Sequence, residues 1–155
     1  MKAGLVCTVI LTSVGVLSAS VGPPQGIGDR AKKASRIVVA KVVKVESSFG
    51  TSEHGDQLIF SHVTVAVEET LKGPHADNMA VTLEGGTVGD VTLRVSDMPV
   101  LKQGERAVMF LDERFSEHVP TDRGNGVLKL DRGNKVDGTT VTLDDVRDIV
   151  RGGKR

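Results

Sequence analysis

The sequence predicts a mainly β protein: a five- to six-stranded antiparallel Greek-key barrel with a short C-terminal helix, or alternatively an open β-sandwich. Three observations lead there. Ser61–Pro74 (SHVTVAVEETLKGP) is the longest clean alternation in the chain, with Val63, Val65, Val67 and Leu71 on one side and His62, Thr64, Glu68 and Thr70 on the other. Eighteen glycines and many valines favour short strands separated by frequent turns. Antiparallel strands with short turns must also bury one face and protect their edges, and closure into a barrel does both.

Of the 155 residues, the first twenty read as an export signal. Lys2 supplies a basic start, residues 3–20 are uncharged and largely apolar, and small residues cluster at Ser18-Ala19-Ser20. Thr8, Thr12, Ser13 and Gly15 leave the run short and weakly apolar for a membrane span. Cleavage near Ala19 or Ser20 would yield a secreted, periplasmic or cell-envelope protein with no membrane attachment. The single cysteine, Cys7, lies inside this segment. The mature chain would then have no disulfide, thiol nucleophile or thiolate metal site. Residues 21–34, rich in Gly, Pro and charge, read as a flexible N-terminal extension, and residues 35–152 as a single domain.

Within that domain Arg36–Glu46 comes first. Ile37, Val39, Val43 and Val45 share one face and Val38, Ala40 and Val42 the other, so the strand is expected to be covered on both sides or to curl so that different halves face the core. Ser47–Gln57 is a polar hairpin connection into the strand ending at Leu71. Met79–Glu84, Val91–Val95, Arg106–Leu111 and Gly126–Leu130 follow as short strands, with the glycines of Glu84–Asp90 kinking the chain and Phe115–Asn125 a polar connection. Thr142 is suited to cap a helix whose first turn carries Asp144 and Asp145, and Leu143, Val146, Ile149 and Val150 form its apolar stripe.

Four segments together resemble a known group: SRIVVAKVVKVES, VTVAVEETLKGP, VTLEGGTVGDVTL and KQGERAVMFLDE. They are similar to small exported bacterial proteins with a netrin-module-like or tissue-inhibitor-of-metalloproteinase-like OB barrel. In that superfamily the first strand commonly reads D-x-V-V-x-A-x-V, the second ends in x-x-K-G, and a later G-E-x-x-x-x-F-L marks a core strand. Ser35–Val42, Leu71–Gly73 and Gly104–Leu111 occupy those places, and the resemblance spans roughly Ser35–Leu130. It implies an OB-like barrel. The inhibitors of that superfamily place a mature N-terminal cysteine on the enzyme's zinc, which this cysteine-free mature chain lacks, so their mechanism does not carry over.

Composition excludes some functions and leaves others open. Without residues 1–20 the chain has 19 basic and 20 acidic side chains, which lacks the basic field needed to track nucleic-acid phosphates. Only four aromatic residues occur, all Phe, so stacking platforms for bases or sugars are scarce. No G-x-S-x-G, S-x-x-K or H-E-x-x-H pattern supports a catalytic site, and no cofactor is implied. His54, Asp56 and His62 are the metal-ligand candidates, the residue types that hold zinc, set around the first hairpin. The function expected is a non-enzymatic exported module that contacts another envelope or extracellular protein. Metal or small-ligand binding, and protease inhibition without an N-terminal cysteine, are the alternatives.

Overall fold

The computed structural model describes residues 26–152, so the expected export signal, residues 1–20 with Cys7, lies outside the described residues. Two 16-residue strands, β1 (Arg36–Thr51) and β2 (Gln57–Lys72), form a long hairpin. β3 (Asn78–Glu84), β4 (Gly86–Val88), β5 (Val91–Leu93), β6 (Arg106–Arg114), β7 (Glu117–Pro120) and β8 (Val127–Leu130) follow. The main sheet has the order β1-β2-β3-β7-β6-β8, and β6 pairs with β1 as well. β4 and β5 make a separate two-stranded sheet.

Three details depart from the expected antiparallel arrangement. β3 and β7 pair in parallel through Val81 and His118, so the sheet is mixed. The polar stretch Phe115–Asn125 contains β7, a strand too short to show a period. The expected strand Val91–Val95 is only Val91–Leu93 and pairs with β4 outside the main sheet.

β1 is the strand on which the packing turns. Ile37 and Val39 join one buried cluster with Val108, Phe110 and Leu128, whereas Val38, Ala40 and Val42 join a second with Val63, Val65, Val81 and Met109. The strand is therefore covered on both faces, as its sequence suggests. Its period then breaks. Val42 opposes Val65 and Lys44 opposes Thr64, leaving Val43 as a bulged residue that is largely exposed. That extra residue returns Val45 to the same side as Val42, where it packs on the second cluster. Further shifts in β2 leave Leu71 packed against the first cluster, opposite to the face occupied by Val63 and Val65.

Helices cover the first cluster. α2 (Leu143–Val150) starts at the expected cap Thr142, and Asp145 extends it to a capping box: the Thr142 hydroxyl accepts from Asp145 N–H and Asp145 Oδ2 accepts from Thr142 N–H at 2.9 Å. Arg147 and Arg151 reach Glu69 on β2, so they tie the helix to the sheet. α1 (Ile27–Lys33) occupies part of the stretch expected to be a flexible extension. Seven residues rarely hold a helix alone, and tertiary contacts stabilise this one. Ile27 and Ala31 are buried in the first cluster, and the Arg30 guanidinium lies 5.8 Å from the Phe110 ring centre and donates to Asn125 O at 2.6 Å. Burial holds the Arg30 guanidinium below its ordinary pKa, opposed by the carboxylate of Asp122. Lys72 Nζ donates to the carbonyls of Ala31 and Lys32 at the helix C-terminus.

Candidate functional site

β1 and β2 run on past the body of the sheet, and only the five residues Ser52–Asp56 connect them. Ser52 organises that turn, its hydroxyl accepting from the backbone N–H groups of His54 and Asp56. The hairpin end reaches the turn between β6 and β7, where Arg114 Nη1 lies 3.7 Å from Glu53 Oε1. Between the two hairpin ends lies a groove of about 660 Å³. Phe60 and His62 of β2, Thr82 and Glu84 of β3, and Glu117 and Val119 of β7 all line it.

Two phenylalanine rings, Phe60 and Phe115, line this groove; Phe49 touches it along β1, but it pairs with Ile59 while Phe60 pairs with Ser48, so its ring lies on the other face of the hairpin. Gly50 explains the placement of Phe60. A Cβ at position 50 would lie 2.8 Å from the Phe60 ring, so only glycine lets that ring rest across the hairpin. Phe49 is 56% exposed and Phe115 88% exposed. The fourth ring, Phe110, is wholly buried in the core.

Phe115 sits in an unusual turn. Arg114 pairs with Glu117, so Phe115 and Ser116 alone connect β6 to β7, and their φ angles are +49° and +65°. Positive φ at both central positions is the type I′ pattern, normally filled by Asn-Gly. A side chain bearing a Cβ costs on the order of 1–2 kcal/mol in this region. Asp122 and Arg123 also have positive φ, so four of the five non-glycine residues of this kind among the described residues lie along this wall.

Charge on the groove is mainly negative. Glu53, Asp56, Glu84, Glu117 and Asp122 face Arg114 and Arg123, an excess of three carboxylates. Arg123 donates to both Glu84 and Asp97, and its hydrogen bond to Asp97 pushes its pKa above the ordinary arginine value. The same hydrogen bond holds the Asp97 carboxyl below the usual carboxylate range. Gly124 makes this latch feasible, because a Cβ there would collide with the Asp97 carbonyl.

His54, Asp56 and His62, the metal-ligand candidates, all line the groove but do not converge on one point. His54 and Asp56 lie in the turn, while His62 is opposite Glu46, five residues beyond the start of β2. At about 3.3 Å per residue, roughly 16 Å of strand separates them, far beyond a shared coordination shell. Both His62 nitrogens already face hydroxyls, Ser48 Oγ and Thr82 Oγ1, each at 3.3 Å. Among the described residues no group of three or more His, Cys, Asp or Glu side chains is placed to hold a metal ion. The Ser48–His62 contact has the outline of a nucleophile and its base. Its third member, however, is a threonine hydroxyl, which cannot stabilise an imidazolium as a carboxylate does. Among the described residues no helix is long and apolar enough to cross a membrane.

The aromatic groove is what sequence reasoning missed. Its two rings, Phe60 and Phe115, are distant in the chain, and no local period links them. One signal was visible: Phe115 is a lone aromatic residue in the charged run Asp112–Asp122. The chain matches no known family model and no characterised protein with which it was compared.

Proposed function

We propose that this chain is a non-enzymatic, exported binding module with an OB-like barrel, and that it engages another protein through the groove between its two hairpin ends. The fold part of the proposal draws on the pairing circuit β1-β2-β3-β7-β6, which returns to β1, and on the resemblance of Ser35–Leu130 to netrin-like modules. OB folds bind extended ligands on the face of their second and third strands, between the first hairpin loop and a later one. The groove here occupies that position, counting β6 and β7 as the fourth and fifth strands of the circuit. The export part rests on the sequence of residues 1–20.

One observation carries the binding assignment: two of the three phenylalanines outside the core, Phe60 and Phe115, line one groove, and the Phe115 ring stands 88% exposed there. Exposed rings held together on a surface mark interaction sites more often than folding requirements. An excess of carboxylates disfavours a nucleic-acid strand, whose phosphates would be repelled. A protein segment remains as the occupant.

The test places a photo-crosslinking amino acid at position 48, in the groove, or at position 148, on the exposed side of α2, in cells producing the full chain. Protein adducts from position 48 and not from position 148 are expected. Adducts from neither position, or equally from both, would remove the assignment.

A further inference from the structure

We infer that Phe115 is the anchor of this groove and that the partner segment it receives is cationic and apolar, pairing Lys or Arg with aliphatic side chains. This rests on the groove being a protein-binding site, and adds its chemistry. The first argument is the turn. A two-residue connection with positive φ at both positions is best served by asparagine and glycine, yet this one carries phenylalanine and serine. The ring is 88% exposed, so the fold regains almost nothing by burying it. A backbone outlier that the fold does not need points to a function for the side chain it displays.

The second argument is what surrounds that ring. Arg114 is engaged by Glu53, and Arg123 by Glu84 and Asp97. Glu117 and Asp56 form no ion pair among the described residues, while the Asp122 carboxylate acts on Arg30. The groove thus offers exposed ring faces beside unneutralised carboxylates. A Lys or Arg side chain satisfies both at once, laying its alkyl stem on a ring while its charge meets a carboxylate. Aliphatic neighbours in the same segment would cover Phe60. An acidic segment would be repelled, and a neutral polar one would leave the carboxylates unpaired.

The test compares three labelled peptides on the full chain by fluorescence anisotropy: alternating leucine and lysine, leucine and serine, and leucine and glutamate. The lysine peptide should bind at least about tenfold tighter than the serine peptide, and added salt should weaken it. The glutamate peptide should not bind. A double variant, Phe115→Asn with Ser116→Gly, supplies the residues the turn prefers. It should melt at a higher temperature than the native chain yet bind the lysine peptide at least about tenfold more weakly. Lysine and serine peptides binding alike, no peptide binding, or undiminished binding by the double variant would each overturn the inference. If crosslinks from position 48 persist in any of those cases, the binding-module reading stands and only the cationic partner and its anchor are removed. Loss of the crosslinks as well removes both.

Discussion

Arg147 of α2 and Glu69 of β2 are joined through two nitrogens on one oxygen, with Nε at 3.0 Å and Nη2 at 2.5 Å from Glu69 Oε2. Both side chains are about two-thirds buried, and 78 residues separate them in the chain. The hydrogen bond to Glu69, followed by that to Asp144, raises the Arg147 pKa above its ordinary value. Arg147→Ala should destabilise the domain by about 1–2 kcal/mol, within the range for charge-assisted hydrogen bonds. A double-mutant cycle with Glu69→Ala, read by denaturant unfolding, should show coupling of about 1 kcal/mol. Strict additivity would mean that the contact does not tie the helix down.

Val65 and Thr64 test the placement of the core. Val65 is wholly buried, opposite Val42 and in the second cluster, whereas Thr64 is half-buried and points the other way, opposite Lys44. Val65→Asp would bury an unpaired carboxylate and should cost at least about 4 kcal/mol, enough to unfold the domain. Thr64→Asp should cost about 1 kcal/mol or less, helped by Lys44. Equal melting temperatures for the two variants would refute the face assignment.

Gly86 and Gly89 separate two kinds of glycine. The Ser47 and Ser61 hydroxyls lie 3.1 Å apart, Ser61 donates to Gly85 O at 2.7 Å, and a Cβ on Gly86 would press into both hydroxyls. Its φ of +142° adds strain for any other residue. Gly86→Ala should therefore destabilise by about 3 kcal/mol. Gly89 has a φ of +57° but open space around its Cβ position, so Gly89→Ala should cost only about 1 kcal/mol. Thermal unfolding of the two variants would compare these costs directly.

His118 makes stability depend on pH. It stands at the one bridge between β3 and β7, and its Nδ1 is buried without a hydrogen-bond partner. Burial, and then the nearby positive charge of Arg36, lower its pKa below the ordinary histidine value, against a smaller opposing effect of Glu113. The unfolded chain then binds a proton that the folded chain refuses, between the lowered value and about 6.5. Stability should consequently fall as pH drops through about 6.5 and level off below the folded-state value. His118→Gln should flatten that part of the melting-temperature profile between about pH 8 and pH 5. An unchanged slope would show that His118 is not its source.

Much of this architecture was legible locally. The alternation at Val63 and Val65, the double-faced start of β1, the capping residue Thr142 and the stripe of α2 are short-range patterns, and each survives in the structure. The bulge at Val43 was not legible, because a single inserted residue looks like ordinary alternation until its partner strand is known. α1 was hidden for a similar reason. Its polar composition suggested a linker, and only the burial of Ile27, Arg30 and Ala31 against distant strands makes it a helix.

The sequence by itself determined which residues alternate, where the chain turns and which side chains enter the core, since burial of apolar area acts through periods of two and of about 3.6 residues. Tertiary structure alone decided the parallel pairing of β3 with β7, the return of β6 to β1, and the placing of Phe60 and Phe115 on one groove. These depend on which strands lie side by side, a matter of long-range pairing and loop closure that no local period encodes. The groove belongs wholly to that second category. Its rings are separated in sequence and brought together by two hairpins whose ends are free to approach because neither is needed in the core.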